Sequence, residues 1–236
     1  MVTFRVFRFS PEKDKKPRYV DYNIEDTCGL TVLDTLKLIK TDMDPSLSFR
    51  HSCRSAICGS CAVSVNGKNM LACNTQVDAL GKSRIVIEPL PGYPVINDLV
   101  VDFAPFFGQY RSIRPYLVSE SQPPEKERVQ SVEARKRYDA PAQCIMCAAC
   151  TTSCPIVWTD DKYLGPAALT KVWRFVADSR DEITDERLGM VNNEYGVWRC
   201  HTMFRCAEAC PKEIDTTEAI ENLRREVLKR AFSRRR

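Results

Sequence analysis

The sequence has 236 residues and contains no long apolar run. Its most apolar neighbourhood, PVINDLVVDFAPFFGQY, is interrupted by Asp98, Asp102 and Pro105. A membrane-spanning helix needs about 20 mostly apolar residues, so this stretch excludes one. The opening MVTFRVFRFS offers neither the apolar core nor the small-residue cleavage site of a secretory signal. We therefore expect a folded protein in a reducing compartment.

Motifs for nucleotide binding and acid–base catalysis are also missing. No two of the nine glycines are separated by a single residue, which excludes a G-x-G-x-x-G dinucleotide loop. The segment LGKS at 80–83 fails as a phosphate-binding loop, because position 76 is Gln. Only two histidines, His51 and His201, are present. We therefore expect no catalytic residues in this chain.

Positive charge is concentrated at the C-terminus. The net charge is +4, and the stretch Arg224–Arg236 holds seven basic residues and one acidic residue. The remainder has 28 basic against 30 acidic residues, obtained by subtracting that stretch from the totals of 35 and 31. Two interpretations stay open for the tail: a solvated helix end, or a contact with acidic lipid headgroups or an acidic partner. Nucleic-acid binding is not expected, since no basic stripe runs through the body.

Cysteine, by contrast, is abundant, with twelve residues. In a reducing compartment, clustered cysteines are more often metal ligands than disulfides. The first group follows the spacing C-x4-C-x2-C…C, which is the plant-type ferredoxin pattern for a 2Fe–2S cluster. The alternative is a structural zinc site, which would favour paired C-x2-C knuckles. The predicted 2Fe–2S ligands are Cys53, Cys58, Cys61 and Cys73.

The second group lies in CIMCAACTTSCP and matches the bacterial two-cluster run C-x2-C-x2-C-x3-C-P. In that motif the fourth cysteine binds the other cluster, so a second half-motif must exist. CHTMFRCAEACP at 200–211 has the same spacing, but Met203 stands where the second cysteine is expected. Exchanging the fourth cysteines predicts a 4Fe–4S cluster on Cys144, Cys147, Cys150 and Cys210.

The other cluster is left with three thiolates, from Cys154, Cys200 and Cys206. A cubane corner without a thiolate readily loses its iron, so we predict a 3Fe–4S cluster. The alternative keeps four irons, with water or the weakly basic Met203 sulfur at the fourth. Cys28 stands apart from all three groups and is given no role.

The pattern of hydrophobic residues changes along the chain. The first part predicts strands in TFRVFRF, RYVDYNI and SRIVIEPL, a helix after Thr31, and a hairpin at Asn66-Gly67. After PLPGYP the spacing becomes helical in INDLVVDFAPFFGQYRSI, LGPAALTKVWRFVADSRDE and TTEAIENLRREVLKRA. We therefore expect an α+β chain with a 2Fe–2S domain at 1–105 and an α-helical domain at 106–236.

These motifs resemble one known family along the whole chain: the iron–sulfur subunits of succinate dehydrogenase and fumarate reductase. The resemblance is carried by SCRSAICGSCAVSVNGKNMLAC, CIMCAACTTSCP, LGPAAL, DSRD and WRCHTMFRCAEACPKEID. It implies a plant-type ferredoxin-like (β-grasp) domain followed by an all-α domain like the bacterial ferredoxins. It also implies 2Fe–2S, 4Fe–4S and 3Fe–4S clusters in that order.

The resemblance further implies partners. They are a flavoprotein subunit with FAD, membrane-anchor subunits that can carry haem, and a quinone. The family's quinone-pocket positions match Pro155, Trp158 and His201, although Thr159 stands where many members have a second Trp. The implied location is peripheral, on the cytoplasmic face of a prokaryotic plasma membrane, or on the matrix side of the mitochondrial inner membrane.

The motifs and the resemblance leave four functions open. The leading one is electron transfer from succinate to quinone, and the reverse relay of a fumarate reductase is the nearest alternative. A structural zinc protein and a free-standing ferredoxin are the other two. Electron transfer is favoured because three different clusters serve a relay better than a scaffold.

Overall fold

The computed structural model describes residues 1–233, so Arg234, Arg235 and Arg236 of the basic tail lie outside the described residues. The chain divides into two compact units. The first comprises Met1–Pro105 together with Ile145–Ser153, and the second comprises Phe106–Cys144 and the residues from Cys154 onward. Among the helices of residues 1–233, none combines the length and apolarity needed to cross a bilayer.

The first unit is built on a mixed sheet of five strands: β1 (Val2–Arg8), β2 (Arg18–Ile24), β3 (Ala62–Val65), β4 (Lys68–Leu71) and β5 (Arg84–Glu88). The strands lie in the order β2-β1-β5-β3-β4. β1 pairs antiparallel with β2 and parallel with β5, and β3 pairs antiparallel with β4 and β5. Asn66 and Gly67, both with positive φ, form the predicted turn between β3 and β4.

Helix α1 (Val32–Leu38) packs its apolar face into the core of this unit. Thr31 caps its N-terminus in a reciprocal capping box with Asp34, which satisfies two backbone donors. A wider helical turn, Ile39–Met43, continues the helix. Burying an aliphatic side chain of this kind contributes about 1.5–3 kcal/mol, so packing into the core stabilises the helix despite its short length. The apolar face is formed by Val32, Leu33, Leu36 and Ile39, all of which are buried.

The helix predicted for INDLVVDFAPFFGQYRSI is wrong in the first half of that segment. The segment from Val95 forms a short hairpin of β6 (Val95–Asn97) and β7 (Val100–Val101) rather than a helix. Asp98, at φ 47°, lies at the turn, and its carboxylate accepts the N–H groups of Phe9 and Ser48. These tertiary bonds hold the chain extended, and helix α2 (Ala104–Ser112) begins only afterwards.

Asp98 belongs to a buried network that fixes the chain ahead of the first cysteine loop. The Arg8 guanidinium donates to Asp98 (3.0 Å), to Ser46 (2.7 Å) and to Asp44. Tyr22 also donates to Asp44, at 2.7 Å. Because the charged groups satisfy one another, the network can be buried, and it joins β1 to the segment 44–48.

The second unit is helical. Its core lies between helices α7 (Gly165–Val176) and α10 (Thr216–Ser233). Four residues of these helices are fully buried there: Leu169, Val172, Ile220 and Leu223. Arg187 is also fully buried, and it pairs with Asp181 (2.7 Å) while donating to the carbonyls of Ile113, Arg114 and Tyr116. The other α-helices within residues 1–233 are α3 (Val132–Lys136), α4 (Asp139–Ala142), α5 (Ala149–Thr152, in the first unit), α6 (Pro155–Thr159), α8 (Thr184–Val191) and α9 (Arg205–Glu208).

Candidate metal centres

The first cysteine loop turns its backbone N–H groups toward sulfur. Cys53 Sγ accepts from the N–H groups of Ser55 (3.4 Å), Ile57 (3.4 Å) and Cys58 (3.2 Å). Cys73 Sγ accepts from the N–H of Ala56 at 3.4 Å. Donors aimed at sulfur stabilise negative charge there, so the loop fits an anionic iron–sulfur cluster.

The two other cysteines of this group have opposite surroundings. A hydrogen bond with the Ser60 hydroxyl (3.1 Å) and backbone donors lower the pKa of the exposed Cys58 thiol to about 6. Burial raises the pKa of Cys61 to about 12. Metal ligation requires thiolates, so binding must displace the proton of Cys61 while Cys58 is readily ionised.

Gly59, within the same loop, has a positive φ of 72° and lies against residues of the second cysteine motif. A Cβ at residue 59 would come within 2.8 Å of the Cys147 Cβ and 2.9 Å of the Ile145 carbonyl oxygen. Asn69 in β4 adds a second connection, donating to the hydroxyls of Thr152 (2.9 Å) and Ser153 (2.8 Å). Residues 145–153 are thereby packed against the sheet of the first unit.

The two half-motifs share backbone conformation as well as spacing. Met146 and Ala148, two and four residues after Cys144, have φ of 56° and 63°. Thr202 and Phe204, two and four residues after Cys200, have φ of 54° and 60°. A short helix follows each pair, α5 in the first case and α9 in the second. Non-glycine residues seldom adopt this conformation, so the coincidence at matching positions indicates the same kind of ligand loop.

In the second unit, three cysteines surround one small cavity. Cys154 contributes from the residue before α6, Cys200 from the loop after residues 197–199, and Cys206 from α9. Met203 lines the same cavity, and half of its surface is exposed. The sulfur donors at this cavity are therefore three thiols and one thioether, and a thioether is a weak ligand for iron–sulfur iron.

The residues predicted for the quinone pocket are brought together in part. Pro155 and His201 line this same cavity. Trp158 does not line it, but it lies on the same short helix as Pro155, and 48% of its surface is exposed. The structure thus gathers two of the three predicted residues around the three cysteines.

Sequence reasoning missed two hydroxyl groups at this cavity. Thr217 Oγ1 lies 3.8 Å from Cys206 Sγ, and the buried Tyr163 is part of the cavity wall. Burial raises the pKa of Tyr163 far above its ordinary value, and negative charge on Cys200, Cys154 and Cys206 raises it further. No spacing rule indicated Tyr163, because it lies between helices and far from each cysteine motif in sequence.

No disulfide joins any of the twelve cysteines, all of which lie within residues 1–233. Across the described part of the chain, residues 1–233, no three Cys, His, Asp or Glu side chains are grouped tightly enough to hold a single metal ion. An iron–sulfur cluster makes a different demand, since its ligands bind several irons and stand on different sides of it.

Comparisons with known proteins divide the chain as the cysteine motifs do. Residues 3–108 match the family model of a 2Fe-2S iron-sulfur cluster binding domain. Residues 136–211 match that of a 4Fe-4S dicluster domain. The predicted 2Fe–2S and 4Fe–4S cluster domains are therefore confirmed, and so is the predicted order of a sheet-containing ferredoxin domain and a helical one.

Similar proteins extend the match over the full length. The succinate dehydrogenase iron-sulfur subunit of Paracoccus denitrificans is 44% identical over 223 residues, which are 94% of this chain and 86% of that protein. The protein of the same name from Coxiella burnetii is 42% identical over 98% of this chain and 99% of its own. A chain of the solved structure titled Mycobacterium smegmatis Sdh1 complex in the apo form superposes with a TM-score of 0.85, at 25% identity, over 98% of this chain and 97% of that one. The geometry of the cysteine loops and this full-length similarity agree, and the chain belongs to the family of succinate dehydrogenase iron–sulfur subunits.

Proposed function

We propose that the chain carries electrons from a flavin-containing partner subunit to a membrane quinone. Its three clusters, when bound, each supply a one-electron carrier, in the order 2Fe–2S, 4Fe–4S and 3Fe–4S. The chain's own residues bind and insulate these carriers, and the succinate chemistry takes place at the FAD of the partner.

The ligand assignment is part of the proposal. It gives each cluster a set of cysteines, and it divides the chain into a 2Fe–2S domain at 1–105 and a two-cluster helical domain at 106–236. The sets are Cys53, Cys58, Cys61 and Cys73 for 2Fe–2S, Cys144, Cys147, Cys150 and Cys210 for 4Fe–4S, and Cys154, Cys200 and Cys206 for 3Fe–4S.

One observation carries the assignment of the three-iron cluster. The loop after Cys200 repeats the two left-handed residues of the loop after Cys144, yet Met203 occupies the position that Cys147 has in the other loop. A fold that presents a thioether where its repeat presents a thiolate favours loss of the fourth iron. A cluster with fewer thiolates carries less negative charge, so its potential is higher and suits electron transfer to quinone.

The quinone end is proposed at the cavity of Cys154, Cys200 and Cys206. Pro155 and His201 would face the quinone, with Trp158 beside them as a hydrogen-bond donor. Met203 and Phe204, which are 50% and 54% exposed, place apolar surface next to the cavity. Exposed apolar side chains at such a position support contact with membrane-anchor subunits.

The proposal also includes a location and two kinds of partner subunit. The chain is held peripherally at a membrane by anchor subunits, which can contain haem, on the cytoplasmic side in a prokaryote. The flavoprotein subunit with FAD is its other partner. The full-length similarity to succinate dehydrogenase subunits supports both contacts.

The proposal is tested with the complex isolated together with its flavoprotein and anchor subunits. His201→Asn removes a proton-carrying ring from the proposed quinone site and leaves every cysteine in place. We expect a fall of tenfold or more in succinate-dependent quinone reduction. Succinate oxidation with a water-soluble dye that accepts electrons upstream should remain near the unmodified rate.

His51→Asn is the matched control, because His51 is the chain's other histidine and precedes the 2Fe–2S loop. It should alter both rates equally or neither. If His201→Asn leaves quinone reduction unchanged, or lowers both activities in parallel, the quinone site lies elsewhere.

A further inference from the structure

The Tyr163 hydroxyl is a buried donor beside the cysteine cavity. Tyr163 is 2% exposed, and within residues 1–233 its oxygen forms no hydrogen bond of normal geometry, although Cys200 is near enough to help raise its pKa. Leaving a buried hydroxyl unpaired is unfavourable, so native structures rarely keep one without a reason. Thr170 and Thr216 also have such hydroxyls, but neither lines the cysteine cavity, whereas Tyr163 does.

The chain fixes this tyrosine firmly. Its backbone N–H donates to the Asp160 carbonyl (3.3 Å), and the N–H of Leu164 donates to the Tyr195 carbonyl (3.0 Å). The Asp160 carboxylate in turn pairs with Arg199 at 2.8 Å, next to the ligand Cys200. Tyr163 also packs within the apolar core of the second unit. The phenol is therefore held against the cavity wall rather than free to turn toward solvent.

We propose that Tyr163 is a positioning residue whose hydroxyl donates a hydrogen bond to a cysteine thiolate or sulfide of the cluster held by Cys154, Cys200 and Cys206. Sulfur in such a cluster is anionic and can accept the bond, which supplies the partner that the protein does not. Because the reduced cluster is more negative, the bond strengthens on reduction and raises the potential. This inference rests on the proposed function for the existence of that cluster.

The test is a redox titration of the purified complex followed by EPR of the oxidised three-iron signal. Tyr163→Phe removes only the hydroxyl and keeps the packing ring. At a given solution potential we expect about tenfold fewer reduced clusters than in the unmodified protein. For a one-electron couple, that corresponds to a midpoint about 59 mV lower.

Tyr195→Phe is the matched control, since Tyr195 is partly exposed and does not line the cavity. It should leave the midpoint unchanged. An unaltered midpoint in Tyr163→Phe, with the three-iron signal present, overturns the inference and leaves the proposed function standing. A missing three-iron signal in the unmodified protein refutes the proposed cluster itself, which is a separable result.

A second measurement covers a variant that fails to assemble. In the unmodified complex incubated at length in deuterated buffer, pulsed electron–nuclear double resonance detects exchangeable deuterons close to the three-iron cluster. We expect a strongly coupled deuteron consistent with an O–D···S bond. Absence of any such coupling overturns the inference, as does retention of the same coupling in an assembled Tyr163→Phe complex.

Discussion

Gly59 and Cys147 are in such close contact that a Cβ on residue 59 would lie 2.8 Å from the Cys147 Cβ. Real Cβ atoms do not approach this closely, so residue 59 must be glycine unless the backbone moves. The same Cβ would lie 2.9 Å from the Ile145 carbonyl oxygen, a backbone atom that cannot move aside as a flexible side chain would. The first cysteine loop and the loop of Cys147 are therefore fitted to each other at one glycine.

Gly59→Ala should accordingly disrupt both loops. The left-handed φ of 72° adds strain of about 1–2 kcal/mol to the steric clash. We expect loss of at least half of the 2Fe–2S EPR signal of the reduced protein, together with lower iron content. The measurement is EPR after dithionite reduction, with iron determined on the same sample.

Gly67→Ala provides the control for the strain alone. Gly67 has a similar φ of 77°, but a Cβ there would meet nothing within 4 Å. This variant should keep its clusters and lose only about 1–2 kcal/mol of stability. Equal damage from the two substitutions would show that the contact with Cys147 is unimportant.

Met203→Cys should complete the second half-motif. The new thiolate stands where the other loop has Cys147, so a fourth iron would be retained. We expect the EPR signal of the oxidised three-iron cluster to disappear and iron content to rise by about one per chain. Quinone reduction should slow, because the four-iron cluster has the lower potential. Met203→Ala cannot bind iron and should keep the three-iron signal, and an unchanged cluster in Met203→Cys would refute the role given to position 203.

Asp178→Asn should destabilise the second unit at neutral pH. Burial alone would raise the pKa of Asp178, but hydrogen bonds from Arg180 and the charge of Arg174 lower it to about 2. A depressed folded-state pKa stabilises the fold above the unfolded pKa near 3.9, and this contribution is lost as the pH falls toward 2. The variant should lose about 2–3 kcal/mol at pH 7, because the folded-state pKa of about 2 lies well below the unfolded value near 3.9.

Thermal unfolding of the complex at several pH values tests whether the stabilisation by Asp178 is lost as the pH falls. The gap between the unmodified protein and Asp178→Asn should narrow below pH 4. Asp161→Asn alters an exposed carboxylate and should leave the curve unchanged. A gap that stays constant down to pH 3 would contradict the assigned pKa.

Arg187→Lys should be more damaging than a surface exchange of the same kind. Arg187 pairs with the fully buried Asp181 and also donates to three carbonyls, which a single ammonium group cannot reproduce. Breaking a buried pair costs about 3–5 kcal/mol, and we expect a loss near the lower end because lysine keeps the charge. Arg114→Lys, at the exposed pair with Glu186, should cost much less, because exposed ion pairs contribute little. Denaturant titration of both variants measures the difference.

Much of the architecture could be predicted because it depends on local patterns. The Thr31 cap, the Asn66-Gly67 turn and the buried face of α1 follow from short-range rules, and the cysteine spacing indicates the cluster types. The hairpin at Val95–Val101 was wrongly predicted as helix, because bonds from Asp98 to distant N–H groups decide it. Tyr163 was missed for the same reason: its position beside the cysteines arises from tertiary packing.

The central claim is that three clusters of unequal iron content relay electrons through this chain. EPR of the air-oxidised protein, combined with iron and sulfide analysis, tests it most directly. Oxidised 2Fe–2S and 4Fe–4S clusters are silent, whereas an oxidised 3Fe–4S cluster is paramagnetic. We predict a signal near the free-electron position with about nine irons per chain, from two, four and three. EPR silence with about ten irons, or zinc without sulfide, would contradict the account.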